Sequence, residues 1–389
     1  MSRSKLPSEI FSVQFLVLMS YSSIAFLTLL PLYLKHLGGG PKEIGFFISL
    51  FSFASLFSRP IGGWLVTRFH PKKILVSGLF LLLIATITYL FIRRLDWSLG
   101  LVRIVHGVGF SIFIIAGLLI VVLKTGTKEA AYAIGVVSTG FMLPLLVIPF
   151  LGEKIIEKFG YFVFFMAAVS LALIPFFYAL FAKFSLPVES GYSSRKGLSY
   201  FTLLKEGRII IIFLLTFLFE VTLSSGLAFV PLLAHTGTSM KAGFYFTFLG
   251  LTAVILRLYG GKYLPLWGSE KLVLPAFFFL SGGGILTSLA FSNAFLASSA
   301  VVWGIGVGIL YPHMSALSVE RVSPENKGKV LSLFAASVDM GFAFGPLSFG
   351  LVSQLFGLRK AFVFLSFFII VASSLLIAVY ARIKKVKEI

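Results

Sequence analysis

The stretch Arg59–Leu75, RPIGGWLVTRFHPKKIL, places two glycines near the end of one apolar segment and a basic turn before the next. A second stretch, Arg257–Val273, RLYGGKYLPLWGSEKLV, repeats much of this pattern 198 residues later. The leading arginine and the paired glycines occupy the same positions in both copies. This repeated junction predicts that the chain consists of two similar halves.

The composition indicates that lipid surrounds most of the chain. Of its 389 residues, 58% are hydrophobic and 12% are charged, whereas soluble domains carry about 25% charged residues. The net charge of +19 would suggest nucleic acid for a soluble protein. Here the charges lie in short segments between apolar runs, so we expect a bilayer and no nucleic acid as partner. The absence of cysteine excludes disulfides and cysteine-ligated metals.

Twelve segments are long and apolar enough to cross a bilayer, which takes about 20 residues each. A polar linker, 183–207, separates an N-terminal half (1–182) from a C-terminal half (208–389) with six segments each. The predicted spans lie near 10–34, 44–67, 73–92, 97–123, 130–152, 160–182, 208–234, 242–264, 271–291, 295–319, 329–353 and 360–382.

The distribution of Lys and Arg predicts the orientation of these spans. With a cytoplasmic N-terminus, the inside segments hold 21 of these residues and the outside turns hold 9. This excess predicts that both termini are cytoplasmic. The first apolar run lacks a cleavage site, so we expect a retained helix. The expected location is the cell membrane, and a monomer is the expected state.

Further residues recur at nearly the same interval, which supports a duplicated half. The matched residues are Gly107 with Gly306, Gly109 with Gly308, Pro149 with Pro346, and Gly160 with Gly357. Repeated halves with a substrate site near the midplane are a known transporter architecture.

Three motifs resemble those of the major facilitator superfamily. GWLVTRFHPKK resembles the cytoplasmic motif G-x-L-x-D-R-x-G-R-R-K, with Thr67 in place of the acid and His70 in place of a glycine. RIVHGVGFS, from Arg103, resembles the fourth-span pattern R-x-x-Q-G-x-G, with His106 in place of glutamine. Segments ending at Gly160 and Gly357 resemble the glycine-proline pattern of spans five and eleven. The resemblance is closest to drug-efflux and sugar-efflux members, and it implies an all-α fold of twelve helices in two repeats.

The resemblance implies a conformational latch at the first motif. Glycines allow close helix approach in membranes, so Gly63→Leu is expected to impair transport. The basic side chains can bond neighbouring helix ends in one arrangement of the halves. The alternative is that these charges only set the topology. The residues of this predicted latch are Arg59, Gly62, Gly63, Arg68, Lys72 and Lys73.

Two acidic residues lie in the middle of predicted spans, Glu220 in the seventh and Asp339 in the eleventh. Ionisable residues inside a membrane are costly and are functional candidates by default. A buried carboxyl group that takes up and releases a proton would couple transport to protons. We expect these two residues to lie on opposite sides of the set of helices that forms the second half. The alternatives are a fixed ion pair with Arg103 or a hydrogen bond to a neighbouring helix.

Other polar residues are candidates for a central cavity, which spans one, four, seven and ten line by resemblance. Arg103 is as consistent with structuring the cavity as with substrate contact. A lone histidine inside a helix bundle is more often a packing residue, and this is the alternative for both histidines. Tyr21 lies in the middle of the first span. The cavity candidates are Arg103, His106, Tyr21, Gln14 and His313.

Motifs for nucleotide hydrolysis and for hydrolytic or metal catalysis are absent from the sequence. We therefore expect no enzyme activity, no cofactor and no metal. The predicted function is a secondary transporter that moves a small organic solute by alternating access, with proton-coupled export of amphiphilic compounds or sugars. The alternatives are an importer of a metabolite and a non-transporting sensor with the same fold. An intramembrane enzyme is the weakest alternative.

Overall fold

The computed structural model describes residues 6–184, 199–237, 241–263, 269–320 and 322–388. Within these ranges the chain is helical and contains no strand. Part of the predicted linker, residues 185–198, lies outside the described residues, and the predicted boundaries of the two halves stay a prediction. The predicted all-α class is confirmed.

The helices follow the predicted spans closely. They are α1 (Ser8–Phe26), a 3-10 turn (Leu27–Leu29), α2 (Leu30–His36), α3 (Pro41–Arg68), α4 (Pro71–Thr88), α5 (Trp97–Phe181), α6 (Tyr200–Leu204), α7 (Gly207–Gly237), α8 (Ala242–Tyr263), α9 (Ser269–Ser288), α10 (Asn293–Val319), α11 (Pro324–Phe356) and α12 (Leu358–Glu388).

Among the described residues, ten segments are long and apolar enough to cross a membrane. One of them, Ala133–Phe181, has 49 residues, which is enough for two crossings. A shorter apolar helix, Ala242–Arg257, lies within the predicted eighth span. The segments therefore accommodate the twelve predicted crossings.

Helix α5 contains three predicted spans and must turn between them. As a straight rod, its 85 residues would extend about 128 Å, far beyond the hydrocarbon core of about 30 Å. One turn lies at Gly160, whose φ of 78° is left-handed and suits glycine. Gly357, between α11 and α12, has a φ of 84°. These two residues were matched by sequence, and their shared positive φ supports that match.

The chain divides into two compact units. Unit 1 contains Met1–Gly39 and Leu50–Tyr192, and unit 2 contains Gly40–Ser49 and Ser193–Ile389. In unit 1, α1 and α4 pack on α5. In unit 2, α7 packs on α11, α10 packs on α8 and α9, and α12 packs on α7 and α9.

Glycines make equivalent close helix contacts in the two units. A Cβ atom at Gly109 would lie 3.0 Å from the carbonyl oxygen of Gly78, and one at Gly306 would lie 3.0 Å from that of Ala276. The first contact joins the helices of the third and fourth spans, and the second joins the helices of the ninth and tenth spans. Gly109 therefore corresponds to Gly306.

The second glycine pair fixes the register of the repeat. A Cβ atom at Gly107 would overlap the carbonyl oxygen of Phe51, and one at Gly304 would lie 2.6 Å from that of Leu249. Gly107 thus corresponds to Gly304, 197 residues later. The predicted matches of Gly107 with Gly306 and of Gly109 with Gly308 are wrong by two residues, although the duplication itself is supported.

Each unit has an ion pair between the beginning of its first long helix and the end of its fourth span. In unit 1, Glu9 of α1 accepts from Lys124 of α5 at 2.6 Å. In unit 2, Arg208 of α7 donates to Glu320, which follows α10, at 3.2 Å. In unit 1 the acid lies at the beginning of the first long helix and the base near the end of the fourth span, and in unit 2 this order is reversed.

Candidate functional site

Two acidic residues of unit 2 lie where α7 crosses α11. Glu220 on α7 is 1% exposed, Asp339 on α11 is 9% exposed, and the two side chains interact electrostatically. Gly341 lies two residues after Asp339, and a Cβ atom there would overlap the Cβ atom of Glu220. The prediction that the two acids lie on opposite sides of the helix set is wrong, because α7 packs directly on α11.

Small residues explain why these helices approach so closely. Gly341 and Gly345 form a G-x-x-x-G pattern on one face of α11, a pattern that favours close helix packing in membranes. A Cβ atom at Gly345 would lie 2.6 Å from the carbonyl oxygen of Val221. The hydroxyl of Ser224, one turn beyond Glu220, donates to the carbonyl oxygen of Gly341 at 3.0 Å.

A cation joins this cluster from α8. Arg257 interacts electrostatically with Glu220. Its guanidinium carbon lies 5.4 Å from the ring centroid of Tyr311 on α10, within the range of a cation–π interaction. Sequence reasoning counted Arg257 as an arginine inside a span and as the repeat of Arg59, but missed it as a site residue. The signal was present, because a charge inside a span is itself a marker of function.

The carboxyl group of Glu220 is incompletely satisfied. Its Oε2 atom is buried and has no hydrogen-bond partner among the described residues. An ionised carboxylate buried in this way is costly unless a cation compensates its charge. A bound proton or the nearby charge of Arg257 would lower this cost.

Unit 1 contains a different polar cluster. Nη1 of Arg103 donates to the hydroxyl of Tyr89 at 3.4 Å, and that hydroxyl lies 3.4 Å from Nδ1 of His106. The guanidinium carbon of Arg103 lies 5.0 Å from the ring centroid of Phe51, and His106 meets the same ring edge to face. Both units thus hold an arginine over an aromatic ring. An ion pair between Arg103 and a carboxyl group stays a prediction.

The other cavity candidates take part in local contacts. The side-chain amide of Gln14 donates to the hydroxyl of Thr139 at 3.0 Å. Tyr21 packs edge to face on Phe141, with ring centroids 5.1 Å apart. His313 is buried, and its Nδ1 lies 2.7 Å from the carbonyl oxygen of Ile309 on its own helix. These contacts fit packing roles, and roles in substrate contact stay predictions.

The predicted latch has one close glycine contact, at Gly62. A Cβ atom at Gly62 would lie 2.7 Å from Cδ1 of Ile115 on α5. A Cβ atom at Gly63 would meet no atom of the described residues within 4 Å. The prediction that a helix approaches closely at Gly63 is therefore wrong, because the tightly packed face of α3 passes through Gly62.

The basic turn of the predicted latch binds a helix end. Nζ of Lys72 donates to the carbonyl oxygen of Leu180 at the end of α5, at 2.9 Å. Nδ1 of His70 accepts from the backbone N–H of Lys72 at 3.3 Å, so the histidine caps α4. Arg68 and Lys73 are exposed. The turn can therefore bond a neighbouring helix end, as predicted for Lys72.

No group of three His, Cys, Asp or Glu residues suited to a metal ion occurs in the part of the chain that the structure describes.

Proteins of similar sequence are named as a transporter, an efflux pump and an export protein. An uncharacterized MFS-type transporter of Methanocaldococcus jannaschii is 24% identical over 393 residues, which cover 98% of this chain and 100% of that protein. The multi-drug resistance efflux pump PmrA homolog of Lactococcus lactis is 25% identical over 88% of this chain and 87% of that protein. The staphylopine export protein of Staphylococcus aureus is 22% identical over 92% of each.

Solved structures share the fold. The nucleoside transporter NupG superposes with a TM-score of 0.78 at 15% identity, covering 96% of this chain and 99% of that chain. The peptide transporter POT in complex with sulfate superposes with a TM-score of 0.78 at 14% identity, covering 97% of this chain and 95% of that chain. The sequence profile of the Major Facilitator Superfamily matches residues 10–289 and 266–388. The resemblance and the twelve-helix, two-repeat fold predicted from the sequence are thus confirmed, and the chain belongs to the major facilitator superfamily.

Proposed function

We propose that this transporter exports a small organic solute in exchange for protons. The observation that carries the proposal is the cluster of Glu220, Asp339 and Arg257 inside the apolar spans of unit 2. Burying several ionisable groups in a membrane is expensive, and proton transfer through them is a common reason for keeping them. Carriage of a proton by Glu220 or Asp339 would link the solute gradient to the proton gradient.

The proposed direction and solute class are supported by the relatives. Two of them are named as a multi-drug resistance efflux pump and an export protein. Exposed aromatic and aliphatic side chains, such as Phe57 and Phe181, cover much of the outer surface, as expected for a protein surrounded by lipid. Amphiphilic compounds are the leading solutes, since they partition into the same bilayer, and sugars are the second class.

The test uses the full chain in proteoliposomes. A panel of amphiphilic dyes and of sugars is first screened for an increase in the melting temperature of the purified protein, because a ligand stabilises the state that it binds. The compound with the largest shift is then loaded into vesicles, and its movement is followed with and without an imposed pH gradient. We expect uphill movement only with the gradient.

Two neutral variants examine the coupling. Glu220→Gln and Asp339→Asn should abolish uphill movement while binding of the same compound persists, because the shape of the site is preserved. Glu43→Gln, which changes an exposed acid at the start of α3, is the matched control and should transport normally. Full uphill transport by both site variants would refute proton coupling through these residues.

The same assay separates the alternatives. Uphill accumulation on the side opposite to that expected for an exporter would identify an importer. Binding without flux under any gradient would identify a sensor.

We propose that the protein lies in the cell membrane with both termini in the cytoplasm and acts as a monomer. The excess of Lys and Arg on the inside segments supports this orientation. A reporter inserted in the turn between α2 and α3, at residues 36–42, should score external, and one fused to the C-terminus should score cytoplasmic. The opposite result would reverse the orientation.

A further inference from the structure

The turn between α3 and α4 has two exposed cations that no acid of the described residues balances. Arg68 ends α3, and Lys73 lies in the first turn of α4. Both side chains are exposed, and neither has a hydrogen-bond or ion-pair partner among the described residues. Thr67, next to Arg68, donates to the carbonyl oxygen of Trp64 on its own helix at 2.7 Å. An anion from outside the chain can therefore reach both positive charges.

On α3, the cation continues an apolar stripe that faces away from the rest of the protein. Phe57, Ile61 and Trp64 are 71%, 57% and 55% exposed. Arg68 lies on the same face, because residues three and four positions apart are neighbours along a helix surface. In a membrane protein such a stripe contacts lipid tails, and a tryptophan near its end is typical of the headgroup region.

Helix α4 has the mirror image of this stripe. Lys73 is followed by Ser77, Phe80 and Ile84 at the same spacing as in α3, and all of these side chains are exposed. Both helices are apolar enough to cross a membrane. The two cations thus lie at the same end of two antiparallel stripes that contact lipid.

Packing on α5 holds the two stripes side by side. A Cβ atom at Gly62 of α3 would lie 2.7 Å from Cδ1 of Ile115. A Cβ atom at Gly78 of α4 would lie 2.5 Å from the backbone nitrogen of Phe113. Both contacts fall within one turn of α5, so α3 and α4 lie on neighbouring faces of it. The bond from Lys72 to the end of α5 fixes the turn that joins them.

We propose that this turn binds a membrane lipid with an anionic phosphodiester headgroup. The guanidinium of Arg68 and the ammonium of Lys73 contact the phosphate, and the lipid tails lie along the two stripes. Arginine forms paired hydrogen bonds with phosphate, and lysine contributes a point charge. Cations at the end of a span attract anionic lipids. The proposal is independent of the transported solute and of proton coupling.

The experiment uses Trp64 as the reporter, because its exposed ring lies one turn from Arg68. The full chain is reconstituted in phosphatidylcholine with increasing fractions of phosphatidylglycerol that carries brominated tails. A parallel series contains phosphatidylcholine with the same brominated tails. Bromine quenches tryptophan fluorescence at short range, and the difference between wild type and Trp64→Phe isolates the signal of Trp64. The two series together give the preference of the site for the anionic headgroup.

The expected preference follows from the two cations. Each Lys or Arg near a membrane surface strengthens binding of anionic lipid by a factor of about five. The wild type should therefore prefer phosphatidylglycerol by a factor of about 25. Arg68→Gln and Lys73→Gln should each lower this preference about fivefold, and the double variant should abolish it. Arg68→Lys should keep most of it, because the charge is retained.

Lys205→Gln is the matched control, because it removes the same charge from an exposed residue of unit 2. It should leave the preference unchanged. Equal quenching by the two lipids in the wild type would overturn the proposal. A loss in Lys205→Gln as large as that in Arg68→Gln would also overturn it, because the preference would then come from the overall charge of the protein. Displacement of the brominated lipid by excess soluble glycerol phosphate would identify a site for free phosphates and overturn the assignment to a lipid.

Discussion

The contact between Gly341 and Glu220 makes the effect of a single methyl group predictable. In Gly341→Ala, the new Cβ atom would overlap the Cβ atom of Glu220 and lie 3.0 Å from the carbonyl oxygen of Phe217, whereas optimal separations are about 3.5–4.0 Å. Overpacking of this kind costs about 1–3 kcal/mol. Parting of the helices would also weaken the bond from Ser224 to Gly341, which contributes about 1 kcal/mol.

The better helix propensity of alanine offsets about 1 kcal/mol of this cost. The expected net loss in the free energy of unfolding is therefore about 1–3 kcal/mol. Gly63→Ala is the matched control, because its Cβ atom meets no described atom within 4 Å and should leave stability unchanged or slightly higher.

The assay is denaturant unfolding of both purified variants in the same micelles, followed by proton-driven transport. Gly341→Ala should also lose more uphill transport than Gly63→Ala, because the methyl group displaces Glu220 from Asp339. Equal stability and equal transport of the two variants would refute the close contact between α7 and α11.

Three further predictions concern the fold. Gly107 and Gly304 make equivalent close contacts, so Gly107→Ala and Gly304→Ala should each lower the free energy of unfolding by about 1–3 kcal/mol. Clearly unequal losses would contradict the alignment of the two halves at an offset of 197 residues. Arg208→Gln removes charged hydrogen bonds to the end of α10 at Glu320 and should lower stability by about 1–3 kcal/mol, measured as a lower melting temperature. The Ser98 hydroxyl bonded to Asp96 holds the pKa of its carboxyl below its usual value. This stabilisation is present above the unfolded pKa and is lost as the pH falls toward the folded pKa, so the difference in melting temperature between wild type and Asp96→Asn should shrink in acid; a constant difference would contradict it.

The number and order of the helices followed from apolar length alone, because a membrane imposes that length on every crossing. The two buried acids were also found from the sequence, since charges inside spans are rare. Their proximity was not found. Glu220 and Asp339 are far apart in the chain, and span boundaries do not reveal which helices touch. The G-x-x-x-G pattern at Gly341 and Gly345 was a readable signal of that contact.

The register of the repeat shows a different limit. Helix α10 has three alternating glycines, at 304, 306 and 308. The sequence of Gly107 and Gly109 therefore aligns equally well with the first two of these glycines and with the last two. Only the neighbours that each glycine touches decide between them. Gly63 was misjudged for a similar reason, because adjacent glycines point to different faces of a helix and the sequence does not say which face is packed.

The exchanged ion pairs have a consequence for the assembly of a duplicated chain. Two similar halves made from one chain risk docking a helix into the wrong half while folding. If the beginning of α7 took the place of α1, Arg208 would lie next to Lys124. If α1 took the place of α7, Glu9 would lie next to Glu320. Both errors place like charges together, which is unfavourable, whereas both correct dockings pair opposite charges. The reversed order of acid and base thus distinguishes the two halves, so that equivalent helices of the two halves do not substitute for one another.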